Sequence, residues 1–311
     1  MQAPPQVDVV VVSYNTKELL LECLASVVDG AEGASTEIVV VDNGSADGSY
    51  NAVRDAYPQA SAIHNSANLG FGAACNQGIR LTNSPFILLL NSDARLTREA
   101  FDVMLDCLER EARCAAAGCK MINAAGDEAI NTRNFLTPFN QAFEIAGFKL
   151  NARALSRSYR PFLDCDSADC SIDWIDGACL MLRRAALDEV GLFDERFFMY
   201  SEDEDLCLRL KKKRWLVCFC GAATAVHHGA ASSEHNRIAM LRQFYLSQML
   251  FLSKHRSRLS AFLYATSMKA VLILRQLLLR DGRRRQEAGE HLAALRQACA
   301  SEARTIRTKL A

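Results

Sequence analysis

Proline is scarce in this sequence, 6 in 311 residues, and net charge is absent, with 36 Lys and Arg against 36 Asp and Glu. Few prolines and an apolar half exclude a globally disordered chain. Repeats of fixed period and low-complexity tracts are missing too, which argues against a repeat architecture. An apolar leader is also lacking: the first apolar run is only Val9 to Val12, behind a polar, proline-containing start. No signal peptide is therefore expected, and the cytoplasm is the default compartment. The twelve cysteines lack the paired spacing of a zinc site, Cys218-Phe219-Cys220 and Cys165 with Cys170 included. Cys23, Cys75, Cys107, Cys179 and Cys207 stand in apolar runs, the setting of reduced, buried thiols.

The balanced charge hides an asymmetry. Residues 254 to 311 hold 13 basic side chains against 4 acidic ones, which leaves 23 against 32 for the body. An acidic body near −9 thus carries a basic tail near +9, and such a tail meets anionic lipid or another polyanion.

Val7 to Val12 is a β-branched run bounded by Pro4-Pro5 and Ser13-Tyr14-Asn15, the profile of a strand buried on both faces. Leu19, Leu20, Cys23, Leu24, Val27 and Val28 then recur with helical period up to Gly30. Strands are expected at Glu37 to Val41 and Ser61 to His64, with a helix around Asp47 to Tyr57 between them. The loop Asn68-Leu69-Gly70-Phe71-Gly72 opens a helix to about Leu81, and Phe86 to Leu90 is the next strand. This β, α, β, α alternation is the signature of a parallel sheet with helices on both faces.

Further on, Thr97 to Glu111 reads as a helix and Ala115 to Ile122 as a strand. Asp173 to Leu182 reads as one strand with a small-residue step, Gly177-Ala178, where backbone can approach a ligand closely; Trp174 suits either core or ligand. Trp215 to Phe219 is another strand. From Met240 the chain turns helical, with Leu241, Phe244, Tyr245, Met249, Phe251 and Leu252 as packing positions.

In such sheets ligands sit outside the carboxyl ends of the strands, near the point where strand order reverses. Tyr14, Asp42 and Asp93 each follow a predicted strand. Asp and Asn after a strand are ordinary turn formers one at a time. Three polar or aromatic groups on one rim outline a crevice. The densest charge is Ser201-Glu202-Asp203-Glu204-Asp205, where Ser201 and Glu204 read as a capping box for a helix starting at Glu202. Taken alone, its acids complement the helix macrodipole.

VVVVSYN, VVVDNGSADGS, NLGFGAACNQG, LLLNSDA, WIDGACLMLRR, GLFDERFFMYSEDEDLCLRL and VHHGAAS occur in this order across residues 7 to 255. Seven ordered motifs together are specific. The chain resembles the family 2-type inverting GT-A glycosyltransferases, within them the rhamnosyltransferase-like branch. Asn91-Ser92-Asp93 stands where many such enzymes carry a full Asp-x-Asp. The resemblance implies an α/β GT-A (nucleotide-diphospho-sugar transferase) fold, a mostly parallel sheet flanked by helices over residues 1–255, and a basic helical extension over 256–311.

By the same resemblance, Asp93 and His227 hold a divalent cation, Mn²⁺ or Mg²⁺, with His228 the rival ligand. Asp203 is the general base and Glu202 the second choice, while Asp205 supports the helix. Asp42 contacts the nucleotide base, Tyr14 stacks on it, and Asn68, Gly70, Gly72 and Ser92 line the nucleotide. Gly177 and Ala178 flank the sugar, and Trp174 stands on the acceptor side. Residues 123 to 170, with a short amphipathic piece at Phe139 to Phe148, suit either an acceptor-facing insertion or a plain connection. The implied reaction moves a sugar, L-rhamnose from dTDP-L-rhamnose first among the choices, to a glycan or lipid-linked glycan. A UDP-hexose or UDP-galactofuranose donor, or a non-catalytic scaffold subunit, is the alternative.

Residues 259 to 279 raise the question of a membrane span, but Lys269 and Arg275 stand inside it. Two central charges cost about 5 to 7 kcal/mol against about 3 to 6 returned by the apolar side chains, so spanning is marginal. Lys269, Gln276 and Arg280 share a stripe, and Arg283-Arg284-Arg285 follow. Peripheral attachment to an anionic inner leaflet is the expectation; a helical tail packed on the body or on a second subunit is its rival. Nucleic acid is not expected, because the tail offers charge without aromatic interleaving.

Overall fold

A computed structural model describes residues 7–31, 36–123, 125–129, 131–145, 172–229 and 237–310. The elements in chain order begin with β1 (Val7–Ser13), α1 (Lys17–Gly30), β2 (Ile38–Asp42), α2 (Ser49–Ala56), β3 (Ser61–His64), α3 (Phe71–Leu81), β4 (Phe86–Asn91), β5 (Ala94–Arg95) and α4 (Arg98–Arg110). There follow β6 (Cys114–Ile122), β7 (Glu128–Ala129), β8 (Thr132–Arg133), α5 (Asn140–Ile145), β9 (Trp174–Ile175), β10 (Cys179–Arg183), α6 (Arg184–Val190), α7 (Glu202–Lys212) and β11 (Leu216–His227). The last are α8 (Arg237–His255), α9 (Arg258–Leu278) and α10 (Gly282–Leu310). They form two compact units.

The first unit holds the main sheet, ordered β3-β2-β1-β4-β10-β6-β11-β5, with β7 beside β6. β3, β2, β1 and β4 are parallel, while β10 runs antiparallel between β4 and β6, so the sheet is mixed. Burial on both faces explains the unbroken valines of β1. Val9 and Val11 join the core of Leu20, Leu24, Phe101 and Met104 from α1 and α4, and Val10 faces α3. There α3 approaches through Gly78, whose missing Cβ would stand 2.3 Å from Val10 Cγ1. Each such buried aliphatic side chain contributes about 1.5 to 3 kcal/mol.

Chain order runs from β1 out to β3 on one side and resumes with β4 on the other, which makes β1/β4 the switch point. Register puts Ser13 opposite Asp42 and Val12 opposite Asn91, so Asp42 and the residues just past β1 and β4, Tyr14 and Asp93, lie at the carboxyl ends of adjacent strands.

One expectation changes. Asp173 to Leu182 is two strands rather than one: β9 pairs with β8 in a separate ribbon, and β10 enters the main sheet after a turn at 176–178. The Asp176 N–H is drawn to Asn131 O at 3.0 Å, and Ala178 N bonds Asp176 Oδ1 at 3.2 Å. Trp174 donates Nε1–H to Asn134 O, 3.2 Å away.

Eight of the ten described cysteines are buried. The sulfurs of Cys107, Cys114 and Cys218, from α4, β6 and β11, lie within 4.8 Å of one another. Sequence spacing cannot show that grouping, because three elements bring it together. Cys165 and Cys170 lie outside the described residues, as do residues 124, 130 and 146–170 of the stretch 123 to 170 whose role was left open.

The second unit holds α5 and α8 to α10 with the short segment at 197–201. The three long helices pack on one another, and α5 packs on α9. α8 begins at Arg237, a little ahead of the expected Met240, and buries Tyr245, Met249, Phe251 and Leu252, while Leu241 and Phe244 are half-buried. Its Tyr245 hydroxyl meets His291 Nδ1 of α10 at 2.8 Å. The amphipathic piece is α5, Asn140–Ile145; residues 146–148 lie outside the described residues.

Candidate active site

Asp42 ends β2 and is 1% exposed. Its Oδ1 accepts the N–H groups of Gly44 and Ser45, which bends the chain sharply, and its buried Oδ2 makes no hydrogen bond; His64 Nδ1 stands 3.8 Å away. The turn requires glycine at 44, where φ is +87° and a Cβ would stand 2.7 Å from the backbone of Ala67. A buried carboxylate oxygen of this kind suits an N–H donor of a ligand. Half-buried Tyr14 follows β1, and its loop is pinned to the next one by Asn15 N to Ser45 Oγ and Lys17 N to Asp47 Oδ2.

Beside Asp42, Asn43 acts as a hub. Its Nδ2 donates to Asn68 Oδ1 and Gly70 O, and its Oδ1 accepts from Leu69 N and Asn65 Nδ2. Asn68 and Gly70 are thereby fixed next to the end of β2. Gly72 serves packing: its missing Cβ leaves room for Phe193 Cβ at 3.1 Å and Glu202 Cβ at 3.6 Å. Ser92 shares its hydroxyl with Thr16 Oγ1 at 2.7 Å, and Thr16 continues to Ser13 Oγ at 3.0 Å.

Asp93 and His227 are far apart in sequence but adjacent in space, because β11 pairs with β5 and sets His227 opposite Ala94. Nε2 of His227 lies 3.1 Å from Asp93 Oδ1. Burial opposes the imidazolium, but the hydrogen bond and charge of Asp93, then the charge of Asp176, outweigh it and raise the His227 pKa. His228 is exposed, and its backbone N–H bonds Asp93 O. A carboxylate oxygen beside an imidazole nitrogen is a donor set that Mn²⁺ or Mg²⁺ takes. The buried Asn91 Oδ1, two residues before Asp93, makes no hydrogen bond. The residues present therefore fit a divalent cation.

The acidic helix start departs from a solvated first turn. Glu202, Asp203, Glu204 and Asp205 are all buried, and Ser201 has φ +62° where a capping serine is extended. Instead of Ser201, Asp203 Oδ1 takes the Glu204 N–H at 2.8 Å. Asp203 Oδ2 accepts Gly177 N at 3.1 Å, and Ala178 O accepts Asn91 N at 2.9 Å. One continuous path of bonds thus runs from α7 through the 176–178 turn to the end of β4. Burial, then the charge of Asp176, raises Asp203 to about 7. Glu202 Cβ stands beside Gly72 of α3. Asp205 is held by Arg209 at 2.8 Å, and Arg209 also binds the carbonyls of Val190, Gly191 and Leu192.

Three participants escape sequence reasoning. Asp176 acts electrostatically on both Asp203 and His227, although WIDG reads only as a strand with a small-residue step. Asn43 reads only as a turn former, and Thr16 carries no signal at all.

The description "Glycosyl transferase family 2" matches residues 8–191. The chain belongs to that family. The match contains Asp42 and Asp93 and stops before Asp203 and His227. The transferase is 29% identical over 261 residues to the N-acetylglucosaminyl-diphospho-decaprenol L-rhamnosyltransferase of Mycobacterium tuberculosis, covering 80% of this chain and 84% of that one. It is 23% identical over 246 residues to the low-salt glycan biosynthesis hexosyltransferase Agl10 of Haloferax volcanii, covering 77% and 72%. Among solved structures it resembles the mannosyltransferase PcManGT of Pyrobaculum calidifontis in complex with GDP-Man and Mn²⁺, with a TM-score of 0.60, 16% identity, and coverage of 96% and 87%. That likeness establishes the GT-A fold.

Proposed function

We propose that this glycosyltransferase inverts configuration at the sugar it moves, taking L-rhamnose from dTDP-L-rhamnose to a lipid-linked glycan in cell-surface polysaccharide synthesis. The observation that carries the mechanism is Asp203: a buried carboxylate with a pKa raised to about 7, tied to the Gly177 N–H. The donor and acceptor rest on the mycobacterial relative, whose name specifies L-rhamnose and a polyprenyl diphosphate.

In this reading Asp42 Oδ2 receives an N–H of the nucleotide base, Tyr14 stacks on it, and the loop of Asn68 and Gly70 lies alongside, braced by Asn43. Asp93 and His227 would hold Mn²⁺ or Mg²⁺. Bound there, the cation offsets the charge that grows on the leaving diphosphate. Asp203 accepts the proton of the acceptor hydroxyl as its oxygen attacks the anomeric carbon from the face opposite the nucleotide. Gly177 and Ala178 leave space for the sugar, Trp174 borders the acceptor, and Asp176 keeps the Asp203 proton affinity high. The division into a transferase body, 1–255, and a basic extension, 256–311, belongs to the same proposal, as does a cytoplasmic enzyme working at a membrane face.

The test supplies purified protein, Mn²⁺ and a panel of dTDP-rhamnose, UDP-hexoses and UDP-galactofuranose with polyprenyl-diphosphate acceptors. Nucleotide release with dTDP-rhamnose supports the proposal, release with another donor replaces the sugar, and no release with any donor removes the enzyme reading. Asp203→Asn is expected to abolish turnover and retain donor binding; retained turnover moves the base elsewhere.

A further inference from the structure

Helix α9 has an unusual distribution of side chains. Ala261, Tyr264, Met268 and Leu272 form one buried seam at i, i+3, i+7 and i+11, and α9 packs on α8 and α10. The opposite side is apolar as well and lies in solvent: Leu259 is 64% exposed, Phe262 65%, Leu274 53%, Leu277 69% and Leu278 75%, with Leu263 at 36%. At 100° per residue these six fall on the half of the helix away from the seam, with Thr266 and Ala270 between them. From Leu259 to Leu278 the stripe is about 28 Å long. A single soluble chain rarely exposes so continuous an apolar face without using it.

The charge beside the stripe and beyond its end is predominantly positive. Arg258 and Lys269, both exposed, lie along one edge at i and i+11. Beyond the helix end come exposed Arg280, Arg283, Arg284 and Arg285. The acids nearby are already engaged: Asp281 Oδ1 accepts the Arg284 N–H, and Glu287 pairs with Arg283. An apolar stripe edged by cations matches the acyl and headgroup layers of an anionic bilayer.

By length and composition α9 is the one helix among the described residues able to cross a membrane. Its buried side argues for lying flat. There the Tyr264 hydroxyl bonds Gln248 and the Arg275 guanidinium donates to Ile145 O, and on the flank Ser267 Oγ donates to Pro138 O. Crossing the bilayer would strip these groups of their partners in hydrocarbon.

We infer that the exposed stripe of α9, together with Arg280 and Arg283 to Arg285, is an in-plane docking face for an anionic membrane surface. It differs from the expected polar stripe of Lys269, Gln276 and Arg280 in that the leucines and Phe262 make the contact and the cations border it. The face needs no donor or acceptor, so its test is independent of the transfer reaction.

Flotation of the full-length protein with phosphatidylcholine vesicles, with and without about one third phosphatidylglycerol, measures it. Binding to the anionic vesicles is expected, at least tenfold weaker for the pair Phe262→Gln and Leu277→Gln, whose melting temperature and nucleotide release stay at wild-type values. Replacing Arg283, Arg284 and Arg285 by Gln is expected to remove the preference for phosphatidylglycerol. No flotation of the wild-type protein, or flotation unchanged in the Phe262/Leu277 pair, overturns the inference. So does a wild-type dimer in sedimentation that the same pair converts to monomer without affecting vesicles, because the face would then belong to a second copy.

Discussion

Replacing Asp203 by Asn is expected to change how stability depends on pH. Asp203 has an ordinary value of 3.8 and stands at about 7 in the folded chain, raised by burial first and by the charge of Asp176 second. Between those values the folded chain holds a proton that the unfolded chain has released, so stability falls as pH rises. The contribution is fully present below about pH 4 and gone above about 7. Three units at 1.36 kcal/mol each set a ceiling of about 4 kcal/mol, and relaxation around a buried charge lowers the expected loss to about 2 to 4 kcal/mol. Asn cannot ionise, so the variant lacks this slope. It also turns one amide N–H₂ toward an N–H partner, either Gly177 or Glu204, at a pH-independent cost of about 1 to 3 kcal/mol. The decisive quantity is therefore the difference of two slopes. Urea denaturation of both proteins at pH 4.5 and pH 8.5 measures it, and wild type should lose about 2 to 4 kcal/mol relative to the variant. Parallel curves would refute the account of Asp203.

The same titration should appear in the rate: in the proposed mechanism kcat/KM rises with pH through about 7, because Asp203 as base accepts a proton only when ionised, and His227 as ligand, its pKa also shifted upward, binds a cation only when neutral; a profile flat from pH 5.5 to 8.5 contradicts this. Asn43→Ala removes four hydrogen bonds to the 65–70 loop, so donor KM should rise severalfold and stability fall by about 1 to 3 kcal/mol, read by donor titration and denaturation. Gly78→Ala drives a Cβ into Val10 Cγ1 and should destabilise by about 1 to 3 kcal/mol, and Val10→Ala in the same chain should recover part of it, which a double-mutant cycle tests.

Local pattern made β1, β2 and β4 legible, because strands buried on both faces read as unbroken β-branched and aliphatic runs ended by Ser13, Asp42 and Asn91. Helix periods did the same for α1 and α4. What escaped was set by partners distant in sequence. The break between β9 and β10 falls at Asp176-Gly177, a turn dipeptide inside an otherwise apolar stretch, where the Asp176 N–H goes to Asn131 O, a partner that local pattern does not show. Ser201 and Glu204 have the spacing of a capping box, yet a left-handed Ser201 and the nearer carboxylate of Asp203 replace it. The exposed leucines of α9 read the same whether they face protein or solvent, so only burial separates the two sides of that helix.

Spacing along α7 separates the surroundings of Asp205 from those of Asp203, whose pKa is raised to about 7. A helix brings residues i and i+4 together. Asp205 has Arg209 at that distance, and the guanidinium is fixed by three carbonyls at 190–192, so this buried carboxylate is matched by a half-buried cation. Glu202, Asp203 and Glu204 have Leu206, Cys207 and Leu208 at i+4. For Asp203 two N–H groups favour the carboxylate, but burial and Asp176 outweigh them, and the balance lands at about 7. A general base works best when its pKa lies near the working pH. Moving the arginine by two positions, from 209 to 207, would set a guanidinium beside Asp203, lower its pKa and take the Arg209 ion pair from Asp205. The arginine register therefore separates Asp205, which a guanidinium holds, from Asp203, the base in the proposed mechanism.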